Sequence, residues 1–226
     1  MRLKSLFLLD MRFQARYGFY FLYAVLTIIY VSILFMIPER WQEKTAAILI
    51  FSDPASMGLF FMGAIVLLEK NQHTPCVFAV SPVYAVEYMI AKVSSLSAIS
   101  LVVAAILALI ASVDHLHIVL FGTLISSIIF TLFGIIVATK IKSLNQFILW
   151  TVPIEAVCFV PAVLHLFKIT PAWFRYYPMN VCMDMISGHS SSTIGFLSVI
   201  TMMTILFILS RVCVLKMWDS MGGGKI

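Results

Sequence analysis

The chain has 226 residues, 62% of them hydrophobic and 11% charged, with a formal net charge of +5. A soluble domain is nearer half apolar and a quarter charged; so few charges cannot cover a water-facing surface, and lipid is the solvent for most of this chain. The positive balance does not point to nucleic acid, because no basic run is interleaved with aromatic residues. Lys and Arg on the cytoplasmic side of membrane spans give the same sign.

Residues 1–16 do not read as a cleavable signal, because Asp10, Arg12 and Arg16 interrupt the apolar run after Arg2 and Lys4. They predict an amphipathic helix on the cytoplasmic surface. Leu6, Leu9, Phe13 and Tyr17 share one face, and Arg12 and Arg16 lie at its edge. A plain basic anchor for the first span fits the same residues.

Crossing a bilayer takes about 20 apolar residues. Six stretches meet or approach that length, at 18–37, 45–68, 93–113, 118–138, 147–167 and 193–213. The connections 38–44, 114–117 and 139–146 are short, so neighbouring helices should be antiparallel. No repeat, low-complexity linker or soluble domain interrupts the pattern, and 1–226 reads as a single all-α membrane domain.

Residues 69–92, between the second and third spans, are too apolar for an ordinary loop, and charge decides whether they cross. If they stay inside, both termini are cytoplasmic. Arg2, Lys4, Arg12, Arg16, Lys70, Lys92, Lys140, Lys142, Arg211, Lys216 and Lys225 are then inside, against Arg40, Lys44, Lys168 and Arg175 outside. A seventh crossing at 74–91 would reverse that bias, place Glu87 near an interface and set Pro75 and Pro82 inside a helix. The positive-inside rule and the lost backbone hydrogen bonds both oppose it. The prolines then predict a short helix over Pro75–Val80, a break at Ser81, and a second helix from Pro82 running through Lys92 into the third span. Val77, Phe78 and Val80 put apolar side chains on that cytoplasmic element, which suits a protein partner or the lipid interface.

Glu69, Thr74, "VSP" at 80–82, Tyr88 and Lys92 resemble the first cytoplasmic loop of type-two (ABCG-like) ABC exporter permeases. "LLDMRFQARYGFYFLY" (8–23) resembles the connecting helix and first span of that family, especially of its fluoroquinolone-export permeases. "FRYYPMNVCMDMI" (174–186) resembles the external segment before the last span. One departure is His73, where the family often has glycine before the threonine. The resemblance implies a permease that pairs with a second permease chain, the same or a relative, and docks on a separate ABC ATPase subunit. The short helix would be the coupling helix, with Glu69, Lys70, Thr74, Pro75, Val77, Phe78, Val80, Ser81, Pro82 and Lys92 as coupling residues. ATP and Mg would be bound by the partner, with no cofactor on this chain and no catalysis by it. The "GGGKI" tail (222–226) lacks the first glycine and the hydroxyl residue of a phosphate loop. The setting implied is a bacterial cell membrane.

Two acids fall inside spans, Asp53 in the second and Glu155 in the fifth. Charge at membrane depth is costly, and such residues usually face a cavity or the bundle interior. Both are candidates for lining a path for a hydrophobic or amphiphilic substrate; a protonated or hydrogen-bonded packing role is the plainer alternative. Pro54 and the pair Pro153 and Pro161 should distort the helices around them. Ser100, Ala104, Ala108 and Ser112 form a small-residue stripe suited to close helix packing. Residues 168–191 are long for a turn and suit a short external re-entrant or amphipathic helix, and His165 reads as an interfacial hydrogen-bonder. "DHLH" (114–117) is poor geometry for a metal, with no third histidine beside it, and Cys76, Cys158, Cys182 and Cys213 lack metal spacing. No span carries a protease or paired-carboxylate motif that would favour an intramembrane enzyme. A non-transporting membrane protein, such as an immunity or scaffold protein, is the remaining alternative, and an ATPase gene beside this one would discriminate against it.

Overall fold

The computed structural model describes residues 2–52, 56–113, 115–189 and 192–221, and every regular element among them is helical. Helix α1 (Arg2–Arg16) leads through Gly18, whose left-handed φ of 76° turns the chain, into α2 (Phe19–Met36). Four further helices are long and apolar enough to cross a membrane: α6 (Ala85–Ile110), α7 (Leu116–Lys140), α8 (Leu144–Leu166) and α10 (Thr193–Met221).

Within the stretch 45–68, expected as the second span with a distortion at Pro54, the described residues form two helices, and residues 53–55 between them lie outside the described residues. Helix α3 (Glu39–Ile50) takes in most of the expected 38–44 loop, and α4 (Ser56–Asn71) follows it. Neither half alone is long enough to cross, so five helices, not six, qualify among the described residues. Helix α8 runs unbroken through Pro153 and Pro161.

Two more boundaries differ from expectation. The short helix α5 (Thr74–Val80) begins one residue before Pro75, and the residue ahead of it, His73, adopts a left-handed φ of 55°. A glycine takes that conformation without cost, whereas an L side chain pays about 1–2 kcal/mol. Ser81 is extended and breaks the helix as expected, but the next helix starts at Ala85, not Pro82. There the Tyr84 N–H donates to Glu87 Oε2 at 3.0 Å, satisfying one of the free donors at the start of α6.

Helix α7 is the centre of the bundle, in contact with α4, α6, α8, α10 and the short helix α9 (Pro178–Ile186). Over its most apolar window 67% of α7 is buried, against 17% for α2, which lies at the edge. Glycine sets the closest approach. A Cβ on Gly134 of α7 would meet Met62 Cβ at 2.8 Å and the Leu59 carbonyl of α4 at 2.9 Å, so the two backbones touch as small residues allow in lipid. Of the small-residue stripe, Ser100, Ala104 and Ala108 are buried, and Ser127 of α7 donates to Ser100 at 3.3 Å. Ser112 lies past the end of α6 in a left-handed cap.

A 3-10 turn (Ala172–Tyr176) precedes α9, whose residues from Met179 to Met183, with Met185 and Ile186, are buried. This short helix inserts where α7 and α10 begin and α8 ends, and it also touches α3. Helix α5 sits at the other end of the bundle, against the last turns of α4 and α10.

Candidate functional site

The densest polar cluster joins three helices at the end of the bundle where α5 lies. Asp10 and Gln14, four residues apart, share the face of α1 that packs on α6. Tyr88, Lys92 and Ser95 form one stripe of α6, and Glu69 reaches in from the last turn of α4. The Lys92 ammonium lies between the carboxylates of Asp10 and Glu69. Lys92, Asp10 and Glu69 are 4%, 4% and 5% exposed, and Gln14 and Ser95 are fully buried.

One cation between two carboxylates leaves one negative charge over, and hydrogen bonds spread it. Tyr88 OH donates to Glu69 Oε2 at 2.6 Å, Gln14 Nε2 donates to Asp10 Oδ2 at 2.8 Å, and the Ser95 hydroxyl donates to the same oxygen. The Lys92 ammonium also lies 5.7 and 5.5 Å from the ring centroids of Phe13 and Tyr88, where the ring faces attract it. Buried charge is tolerated when paired and bonded in this way.

The cluster continues into the short helix through aromatic contacts. The Phe78 ring of α5 lies 5.4 Å from Tyr88 and 6.2 Å from Trp218 of α10, and Tyr88 and Trp218 are 5.8 Å apart. Phe78 is therefore turned inward and partly buried. Val77 points out at 62% exposure, and Pro82 and Tyr84 are exposed as well. The Val80 side chain lies outside the described residues. Pro75 is buried, Thr74 is half-buried at the start of α5, and the Ser81 hydroxyl donates to the Phe78 carbonyl at 3.0 Å.

Lys70 plays a separate part. Its ammonium donates to the carbonyls of Ala138, Thr139 and Ile141 at 2.7, 2.9 and 2.8 Å, matching three donors to three acceptors at the C-terminal end of α7. Lys70 lies beyond the apolar run that ends at Leu68. Its partial burial, and after that the like charge of Lys142, lower its pKa to about 8; it remains an ammonium at neutral pH.

Of the two acids expected along a substrate path, only Glu155 is among the described residues, and it is not part of this cluster. Glu155 is half-buried in the middle of α8, and Asp53 lies outside the described residues, as does Asp114 of "DHLH". At the opposite end of the bundle, His165 Nε2 is 3.2 Å from Asp184 of α9 and its Nδ1 is 3.0 Å from the Thr170 hydroxyl.

Asp10, Gln14, Ser95 and Trp218 belong to the cluster although nothing in the sequence set them apart as site residues. The available signal was Asp10, the one acid in a helix that also carries Arg2, Lys4, Arg12 and Arg16.

Four long apolar helices around a fifth, the buried α7, define a multi-pass all-α membrane protein. The chain belongs to the fluoroquinolones export permease protein family, whose sequence model matches residues 1–219. It is similar to fluoroquinolones export permease proteins of two Mycobacterium tuberculosis strains, CDC 1551 / Oshkosh and ATCC 25618 / H37Rv. Each is 26% identical over 165 residues, covering 72% of this chain and 70% of the relative.

Proposed function

We propose that this chain is the transmembrane subunit of an ATP-driven exporter for a hydrophobic or amphiphilic compound, with a fluoroquinolone as the first candidate from the family's name. It does no catalysis; a separate ABC ATPase subunit binds ATP and Mg, and a second permease chain completes the pathway. Helices α3 and α4 together make the second of six crossings, with both termini cytoplasmic, in one membrane domain.

The observation that carries the reading is the double facing of α5. Val77 is presented outward, as a docking residue must be, while Phe78 is locked inward on Tyr88 and Trp218. A pull on α5 is passed through Trp218 to α10, and through Tyr88 to α6 and on to Glu69, Lys92 and Asp10. Two spans and the connecting helix would move with the ATPase. Two-state rocking of those helices would alternate access to a path along which Asp53 and Glu155 meet a cationic or zwitterionic amphiphile.

The test is co-purification from membranes of the full chain with a candidate ABC ATPase subunit, comparing native chain and Val77→Asp. Val77 is exposed, so its substitution leaves the packing of Phe78 intact. Capture by the native chain with loss in the variant supports coupling through α5. If no ATPase binds the native chain, the exporter reading fails and a non-transporting role replaces it.

A further inference from the structure

The exposed face of α1 carries charge that no acid among the described residues pairs with. Its one acid, Asp10, is turned inward onto Lys92, and among the described residues no acid forms an ion pair with Lys4, Arg12 or Arg16. Lys4, Leu8, Arg12 and Arg16 recur every fourth residue, so they run as one exposed stripe along the helix. Leu8 and Leu9 are 54% and 57% exposed within this basic surface. Leucines standing out among cations with no compensating acid do not suit open water, but they suit a boundary that is apolar and anionic together.

The depth of the stripe follows from its anchor. Asp10 and Gln14 are bonded to Lys92 and Ser95, which straddle the start of the apolar run of α6 at residue 93. This places α1 at headgroup level on the cytoplasmic side. Between α1 and α6 opens a crevice of about 350 Å³, lined by Leu3, Lys4, Phe7, Leu8, Ala91 and Ser94, apolar within and with a cation at its edge.

We infer that this face binds anionic phospholipid of the cytoplasmic leaflet. Lys4, Arg12 and Arg16 meet headgroup phosphates, and Leu8 with the crevice takes up part of an acyl chain. Charge complementarity identifies the occupant, since a zwitterionic surface would leave three cations without net counter-charge. The inference rests on α1 lying at the cytoplasmic surface and not on the ATPase reading.

The experiment titrates the delipidated full chain in detergent with phosphatidylglycerol or phosphatidylcholine and counts adducts by native mass spectrometry. The native chain should prefer phosphatidylglycerol by about a hundredfold, about fivefold for each of the three cations. At about fivefold per cation, K4Q/R12Q/R16Q should weaken phosphatidylglycerol binding on the order of a hundredfold and leave phosphatidylcholine unchanged. K140Q/K142Q, at another basic point of the same side, should behave as native. Leu8→Ser, which keeps every charge, should weaken both lipids alike by about fivefold. Equal binding of the two lipids by the native chain overturns the proposal, as does an unchanged preference in the triple variant or an equal loss in K140Q/K142Q. If the triple variant keeps its lipid preference but no longer captures the ATPase subunit, the face belongs to that protein and the lipid proposal falls.

Discussion

The two ends of the bundle both tie a short or surface helix to the spans with polar groups, and they do so in different physical regimes. At the α5 end, Lys92 bridges Asp10 and Glu69 with all three residues 5% exposed or less. At the α9 end, His165 and Asp184 make one contact, with side chains 16% and 28% exposed. Burial removes water as a substitute partner, so the first tie is all-or-nothing, whereas the second can be replaced by solvent at small cost. On the coupling proposed above, the linkage that passes force between helices lies at the rigid end.

The contrast can be broken most directly at Lys92. Lys92→Met leaves two buried carboxylates facing each other, and should cost about 3–5 kcal/mol in thermal or denaturant unfolding in detergent. Replacing Asp10, Glu69 and Lys92 together by apolar residues of similar volume should recover most of that loss. A cost below about 1 kcal/mol for Lys92→Met would put the two ends in the same regime. Gly134→Ala sharpens the picture from the bundle centre: its Cβ would press on the Leu59 carbonyl, at a cost of about 1–3 kcal/mol in the same assay. If it unfolds as native does, α4 and α7 are not in backbone contact. His165→Ala should cost only about 0.5–1 kcal/mol, and a loss as large as that of Lys92→Met would erase the distinction. The smallest effect should come from His73→Gly, which relieves a left-handed residue and should gain roughly 0.5 kcal/mol after the added freedom of the unfolded chain. A loss of stability would mean that the imidazole contributes something beyond filling the position.

The loop between α4 and α6 shows how far the sequence could be read. The Thr-Pro and Ser-Pro steps located α5 and the break after it to within a residue, because proline and the residue before it restrict the backbone locally. The start of α6 was missed by three residues, because Glu87 bonding back to Tyr84 outweighs proline's preference for a first turn. Glu69 and Lys92 were singled out by resemblance, and the structure pairs them directly; the second carboxylate on Lys92, Asp10, lies 82 positions away and was not foreseen.

Composition and charge placement by themselves determined that this chain is an all-helical membrane protein and where its apolar helices run. Both follow from local chemistry: lipid cannot bond an open backbone, and Lys and Arg mark the ends of spans. Which side of α5 faces out, which acid answers Lys92 and where α9 inserts were decided by tertiary structure alone. Those outcomes depend on helices far apart in sequence meeting at a particular rotation, and a one-residue turn of about 100° on a helix exchanges an inward Phe78 for an outward Val77.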